Sequence, residues 1–281
     1  MYIYIVLLVS ILLVFPHSSN AREIIKCKDK SGNTVFTQNT YDCESDIENS
    51  LTVLVSKSKV DKTKVSYRFP ARSYISEKGK WDIYVEEGMR EGDQELYATS
   101  LAKLNETLDY IFSVMPENAR NELSKLRVFL LWGEASPLGG RKKGMSYIRK
   151  GEPKNYTYLD PRWEHALIIY SAENLMYLNE LWSRKAIFHE LSHAWHILNW
   201  PEKYPPIFDS WKNAKNSQKF VGVRDIKGKT IKSAYARRNQ LEYFAELSAM
   251  YFVGGNYYPY NKAGLRQYDP KGYEMVEALW N

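Results

Sequence analysis

The sequence predicts an α+β protein, and three observations predict it. Strand-like runs cluster before residue 177, whereas amphipathic helical spacing dominates after residue 184. Hydrophobic residues make up 44% of the 281 positions and charged residues 26%, a balance that suits a soluble globular core. The two cysteines, Cys27 and Cys43, both fall in a short amino-terminal stretch that reads as its own small β module.

Residues 1–21 read as a signal peptide. An almost unbroken apolar run at 3–15 is followed by Pro16 and small polar residues, with cleavage expected after Ala21. The run is shorter than the roughly 20 residues a bilayer span needs. No Lys or Arg precedes it, so an uncleaved anchor is the alternative. The expectation is an exported protein, periplasmic or secreted, with no stable membrane span once the signal is removed.

Residues 22–54 form the predicted β module. Runs at 23–27 and 34–37 flank the turn signal at 29–33. In an exported protein the isolated pair Cys27 and Cys43 most simply forms one disulfide. It would close a loop of about 15 residues, worth roughly 3 kcal/mol in the loop-entropy model. The stretch from Cys27 through Lys28, Asp29, Lys30, Ser31, Gly32, Asn33, Thr34, Val35 and Phe36 to Cys43 resembles a short domain of unknown function. That domain is found near the amino terminus of many exported bacterial proteins, and the resemblance implies envelope location rather than chemistry.

Residues 55–80, rich in Lys and Ser, read as a linker or extended arm. A larger domain at 81–281 follows. Its expected elements are a strand at 81–86, a helix at 94–114 closed by Pro116, and a buried strand at 126–132. A basic glycine-containing loop at 139–144 precedes a strand or hairpin at 165–177. Helices are expected at 184–198, 206–218 and 239–252, with a short helix over 269–280. The net charge of +6 is spread along the chain, and its short basic clusters carry no nucleic-acid motif. No nucleic-acid partner is expected.

The chemistry-bearing motif is His189-Glu190-Leu191-Ser192-His193, an H-E-x-x-H inside a helical pattern. Four-residue spacing puts both imidazoles on one helix face, where they can share a tetrahedral metal. Glu190 then stands beside the metal as general base toward water. Two satisfied core histidines on an apolar helix would give the same pattern. His196 sits one turn further on, but Asn199 occupies the place where a metzincin carries its later His, so His196 is expected to be structural. A role for His165 in the cleft is open.

A third ligand must come from elsewhere, and Glu242 and Glu246 offer it. They stand at i and i+4 on an otherwise apolar helix, where burial is costly without partners. One carboxylate would hold the metal and the other would accept the N–H of a ligand histidine. An exposed acidic face is the competing reading.

The segment from Ser233 through Tyr235 and Asn239 to Glu242 and Glu246 resembles the catalytic domain of anthrax lethal factor and its gluzincin-like relatives. The resemblance spans about residues 160 to 253 and implies a zincin-like metallopeptidase fold binding one Zn²⁺ per chain. It maps Glu242 to the third zinc ligand, Glu246 to the acid behind it, and Tyr235 to a hydroxyl that steadies the oxyanion. The expected function is an exported zinc-dependent endopeptidase acting on a protein or peptide. Strand addition of substrate along 166–170 or 175–178 is expected. The rivals are a non-catalytic envelope binding protein with a structural zinc site, His196 as its fourth ligand, and a zinc amidase acting on cell-wall material. The Tyr-rich tail at 257–273 has no sequence-level account.

Overall fold

The computed structural model describes residues 25–28, 34–37, 72–156 and 158–281. The chain divides into two units between Lys62 and Thr63. In the first, β1 (Ile25–Lys28) pairs antiparallel with β2 (Thr34–Thr37), so Cys27 lies opposite Val35. Cys43, and with it the expected disulfide, lies outside the described residues, as does the expected signal peptide at 1–21.

The second unit is α+β, built on a five-stranded sheet in the order β3-β4-β5-β7-β6. Strands β4 (Asp82–Glu86), β5 (Arg127–Leu130) and β7 (Ala166–Ile169) run parallel. The outer strands β3 (Tyr74–Lys78) and β6 (Met145–Ile148) run antiparallel to their neighbours. Strand β3 falls inside the stretch expected to be a linker. Its five residues alternate without a strong apolar face, and pairing with β4 rather than its own composition makes it a strand.

Alternation along the strands divides the core. Val128, Leu130, Leu167 and Ile169 face the helical layer, while Phe129, Leu131, Ala166 and Ile168 pack with Trp163 and Tyr170 on the other face. The helical layer begins with α1 (Glu87–Gly92), α2 (Gln94–Val114) and α3 (Glu117–Leu123). Helix α2 starts where Asp93 accepts the Leu96 amide at 2.9 Å and stops before Pro116, which cannot continue it.

The stretch expected as a strand or hairpin at 165–177 is instead β7 followed by α4 (Ala172–Tyr177). Ser171 makes the switch by accepting the Asn174 amide at 3.0 Å, an N-cap that ends the strand and starts the helix. Next come α5 (Glu180–Asn199), capped by Asn179, and α6 (Pro205–Asn216). A separate hairpin of β8 (Val221–Arg224) and β9 (Thr230–Ser233) leads into a 3-10 turn at Tyr235–Arg237. Helices α7 (Gln240–Phe252), α8 (Lys262–Tyr268) and α9 (Pro270–Trp280) close the chain. No helix among the described residues is long and apolar enough to cross a membrane.

The tail earns its place by packing. Trp280 is fully buried, stacks on Trp195 of α5 and Phe244 of α7, and donates its indole N–H to Ser248 at 2.9 Å. Asp269 caps α9 and accepts the Tyr243 hydroxyl at 2.6 Å. These contacts brace α5 and α7 from behind, and those two helices carry the candidate site.

Candidate metal centre

Helix α5 projects His189 and His193 from one face, and α7 projects Glu242 and Glu246 from the face packed against it. Asn239 fixes where α7 begins by accepting the Glu242 amide at 2.9 Å, placing Glu242 in the first turn, where a carboxylate suits the helix dipole.

Three donor atoms converge. His189 Nε2 lies 3.1 Å from Glu242 Oε2, His193 Nε2 lies 3.2 Å from the same oxygen, and the two Nε2 atoms stand 3.1 Å apart. Ligands of a tetrahedral zinc with bonds of 2.0–2.1 Å stand about 3.3 Å apart, so the triangle has the size such an ion requires. His189, His193 and Glu242 can therefore hold a metal ion, and no other group of three or more such side chains occurs among the described residues.

The charge balance fits as well. Three carboxylates, Glu190, Glu242 and Glu246, crowd the imidazoles, and Lys185 is the cation bound among them. With neutral imidazoles, three negative charges against one positive leave an excess of two, which a divalent cation neutralises. Burial alone would lower His189, but hydrogen bonding to Glu242 and Glu246 outweighs it and pushes it up to about 10. Glu242 is likewise opposed by burial, yet the two imidazoles hold its carboxyl far below the usual range. A pocket that retains a proton this firmly is short of positive charge.

Behind the triangle, Glu246 Oε1 lies 2.9 Å from His189 Nδ1 and 2.8 Å from Lys185 Nζ. Glu246 is buried; desolvation would raise it, but Lys185 and His189 bring it down to about 2. A carboxylate at Nδ1 leaves Nε2 as the free donor atom, the tautomer a metal requires. Tyr257 also faces this carboxylate, and its hydroxyl accepts the Ala236 amide at 3.3 Å, linking Glu246 to the turn that carries Tyr235. The Tyr-rich tail thus has a structural account.

Glu190 turns toward the sheet. Its Oε2 accepts the amide of Tyr147, on edge strand β6, at 2.9 Å. Desolvation raises Glu190 from its ordinary value, against the pull of His189 and His193, which favours proton acceptance from water. Tyr235 donates to Glu242 Oε1 at 3.0 Å and accepts from Arg238 at 3.0 Å. Although the residue as a whole is exposed, desolvation of its hydroxyl and the Glu242 charge hold the phenol well above the usual value, so it stays a proton donor.

His196 stands apart from the triangle. Its Nε2 lies 3.2 Å from the Pro201 carbonyl, and burial keeps it neutral, lowered to about 4. His165 shares a 2.9 Å hydrogen bond with the Tyr147 hydroxyl and joins no metal-binding group. Sequence reasoning missed Lys185, Arg238 and the Tyr147 amide. Only Lys185 left a signal, a cation one helical turn before His189 in an otherwise apolar pattern.

Comparison of the chain with protein-family models gives no match, and a search of curated proteins gives none either.

Proposed function

We propose that this chain is an exported zinc-dependent endopeptidase with a zincin-like catalytic domain akin to that of anthrax lethal factor. The observation that carries the proposal is the convergence of His189 Nε2, His193 Nε2 and Glu242 Oε2, with Glu190 and Tyr235 beside them. Held by those three donors, a zinc ion would supply Lewis acidity toward water and toward a peptide carbonyl.

The chain's own residues do the rest. Glu190, anchored by the Tyr147 amide, takes a proton from the attacking water and returns it to the leaving amine. Tyr235, fixed between Glu242 and Arg238, offers its O–H to the oxyanion that develops on the carbonyl. Glu246 and Lys185 hold His189 in the ligating tautomer.

Substrate docking needs an unpaired sheet edge, and the expected strand-addition segments do not provide one. Strand β7 is enclosed between β5 and β6, and residues 172–177 are helical. Edge strand β6 is the better platform. The Tyr170 amide bonds to the Gly144 carbonyl, so alternation turns the peptide groups of Met145 and Tyr147 away from β7. A substrate strand laid there meets Glu190 at Tyr147.

The test is zinc per chain in residues 22–281, beside Glu242→Ala and Glu246→Ala, with peptide hydrolysis assayed in parallel. About one zinc in the parent, absent in Glu242→Ala and weakened in Glu246→Ala, is the expected result. A folded parent without zinc overturns the proposal.

A further inference from the structure

Basic residues occur all along the chain, but two segments beside the candidate site hold a large surplus of them over acids. The segment 141–150, which contains β6, holds five basic residues and no acidic one. The segment 221–238, which contains the β8–β9 hairpin and the Tyr235 turn, holds six basic residues and one acid. The net charge of these two segments together exceeds that of the whole chain, so the remainder is net negative.

Both segments reach the candidate site. Tyr147 of the first binds Glu190 through its amide, and Tyr235 of the second binds Glu242 through its hydroxyl. Lys142, Lys143 and Lys150 of the first segment are exposed, as are Lys229, Lys232 and Arg238 of the second. Local acids answer only part of this charge: Glu134 stands 4.0 Å from Lys142, and Glu202 stands 2.7 Å from Arg149. Arg141, in the loop that leads into β6, is held 3.8 Å over the Tyr170 ring.

From this arrangement we infer that the substrate is an acidic polypeptide segment, bound extended along β6 with Asp or Glu side chains on both sides of the bond to be cut. The inference rests on the endopeptidase reading of the site. An extended chain rises about 3.3 Å per residue, so a segment centred opposite Tyr147 carries residues two or more positions away toward the cations at either end of β6. The outward peptide groups of an edge strand suit a polypeptide rather than another polyanion. Exposed charge pairs contribute little individually and are screened by salt, so the preference comes from several of them and depends on ionic strength.

The experiment uses the zinc-loaded chain and three pools of extended peptides, identical except that flanking positions are acidic, neutral or basic. The expected result at low salt is a kcat/KM about tenfold higher for the acidic pool than for the neutral one, with the basic pool cut slowest. Raising salt should erase the difference. A variant combining Lys142→Glu, Lys143→Glu, Lys229→Glu and Lys232→Glu should lose the acidic preference yet cut the neutral pool at the parent rate. Equal cutting of acidic and neutral pools, or a preference that survives the variant, overturns the inference. So does retention on a nucleic-acid or heparin column with no peptide preference, which assigns the charge to another polyanion. Binding of the pools to Glu190→Gln, read by fluorescence anisotropy, separates the two readings. Acid-selective binding without cleavage by the parent refutes the endopeptidase and upholds acidic recognition, while no binding at all refutes both.

Discussion

His189 Nδ1 lies 2.9 Å from Glu246 Oε1, with both side chains almost wholly buried. That contact sets which imidazole nitrogen faces Glu242, and it depends on a third residue. Lys185 Nζ holds the same carboxylate oxygen at 2.8 Å, so an ammonium on α5 orients an acid on α7, which in turn orients a histidine on α5.

Lys185→Met tests that chain of contacts. Removing one member of a buried ion pair costs about 3–5 kcal/mol, because the other charge is left without compensation. Zinc affinity, read by competition with a chelator, should fall about 10–100-fold although no ligand is altered. The double change Lys185→Met with Glu246→Gln should regain part of the lost stability without regaining the affinity. Unchanged zinc affinity in folded Lys185→Met would show that Glu246 is oriented without it.

Glu190→Gln and Tyr235→Phe separate the two chemical roles beside the metal. Gln retains an acceptor for the Tyr147 amide, so zinc content and fold should be kept while peptide hydrolysis is lost. Tyr235→Phe removes one oxyanion donor, and kcat should drop about 10²–10³-fold with zinc retained. Its hydroxyl also bonds to Glu242, so a modest weakening of zinc is expected too. Full activity in Glu190→Gln would dispose of the proposed mechanism.

These residues were legible from sequence because helical spacing is a local rule. His189 with His193, and Glu242 with Glu246, each fall one turn apart, and a buried acid pair on an apolar helix demands a cationic partner. Helix α2 was equally plain, closed by Pro116. What escaped was pairing across the chain. Strand β3 is a strand because β4 lies beside it, and β6 becomes an edge of the sheet only once β7 inserts next to β5. The short apolar run through residue 177 holds a strand and a helix, and periodicity over so few residues cannot divide them. Tyr257 looked like tail sequence until its hydroxyl met the Ala236 amide.

Trp280→Ala tests how far the carboxyl-terminal helix supports the site. The indole fills the space between Phe188, Trp195, Phe244 and Phe252, and its loss also leaves Ser248 without its donor. A buried Trp→Ala change costs about 3–5 kcal/mol. In a domain of this size that lowers Tm on the order of 10 °C. A drop of only a degree or two in a melting curve would mean that α9 is not part of the cooperative core.

Acid stability should turn on His196. Burial keeps the folded imidazole neutral, lowered from 6.5 to about 4 against the opposing pull of the Pro201 carbonyl and Glu202. The unfolded chain therefore takes up a proton between about pH 6.5 and pH 4 that the folded chain refuses. By linkage, stability is intact above that window and is lost as pH falls through it, by roughly 3 kcal/mol in total. His196→Gln keeps a donor for the Pro201 carbonyl but cannot take the proton. Denaturant melts of both metal-free proteins, with chelator present, should show the parent losing more stability than the variant between pH 7.5 and pH 4. Parallel losses in the two proteins would mean that His196 titrates in the folded state as it does in the unfolded one, and that its burial is not what sets the acid limit.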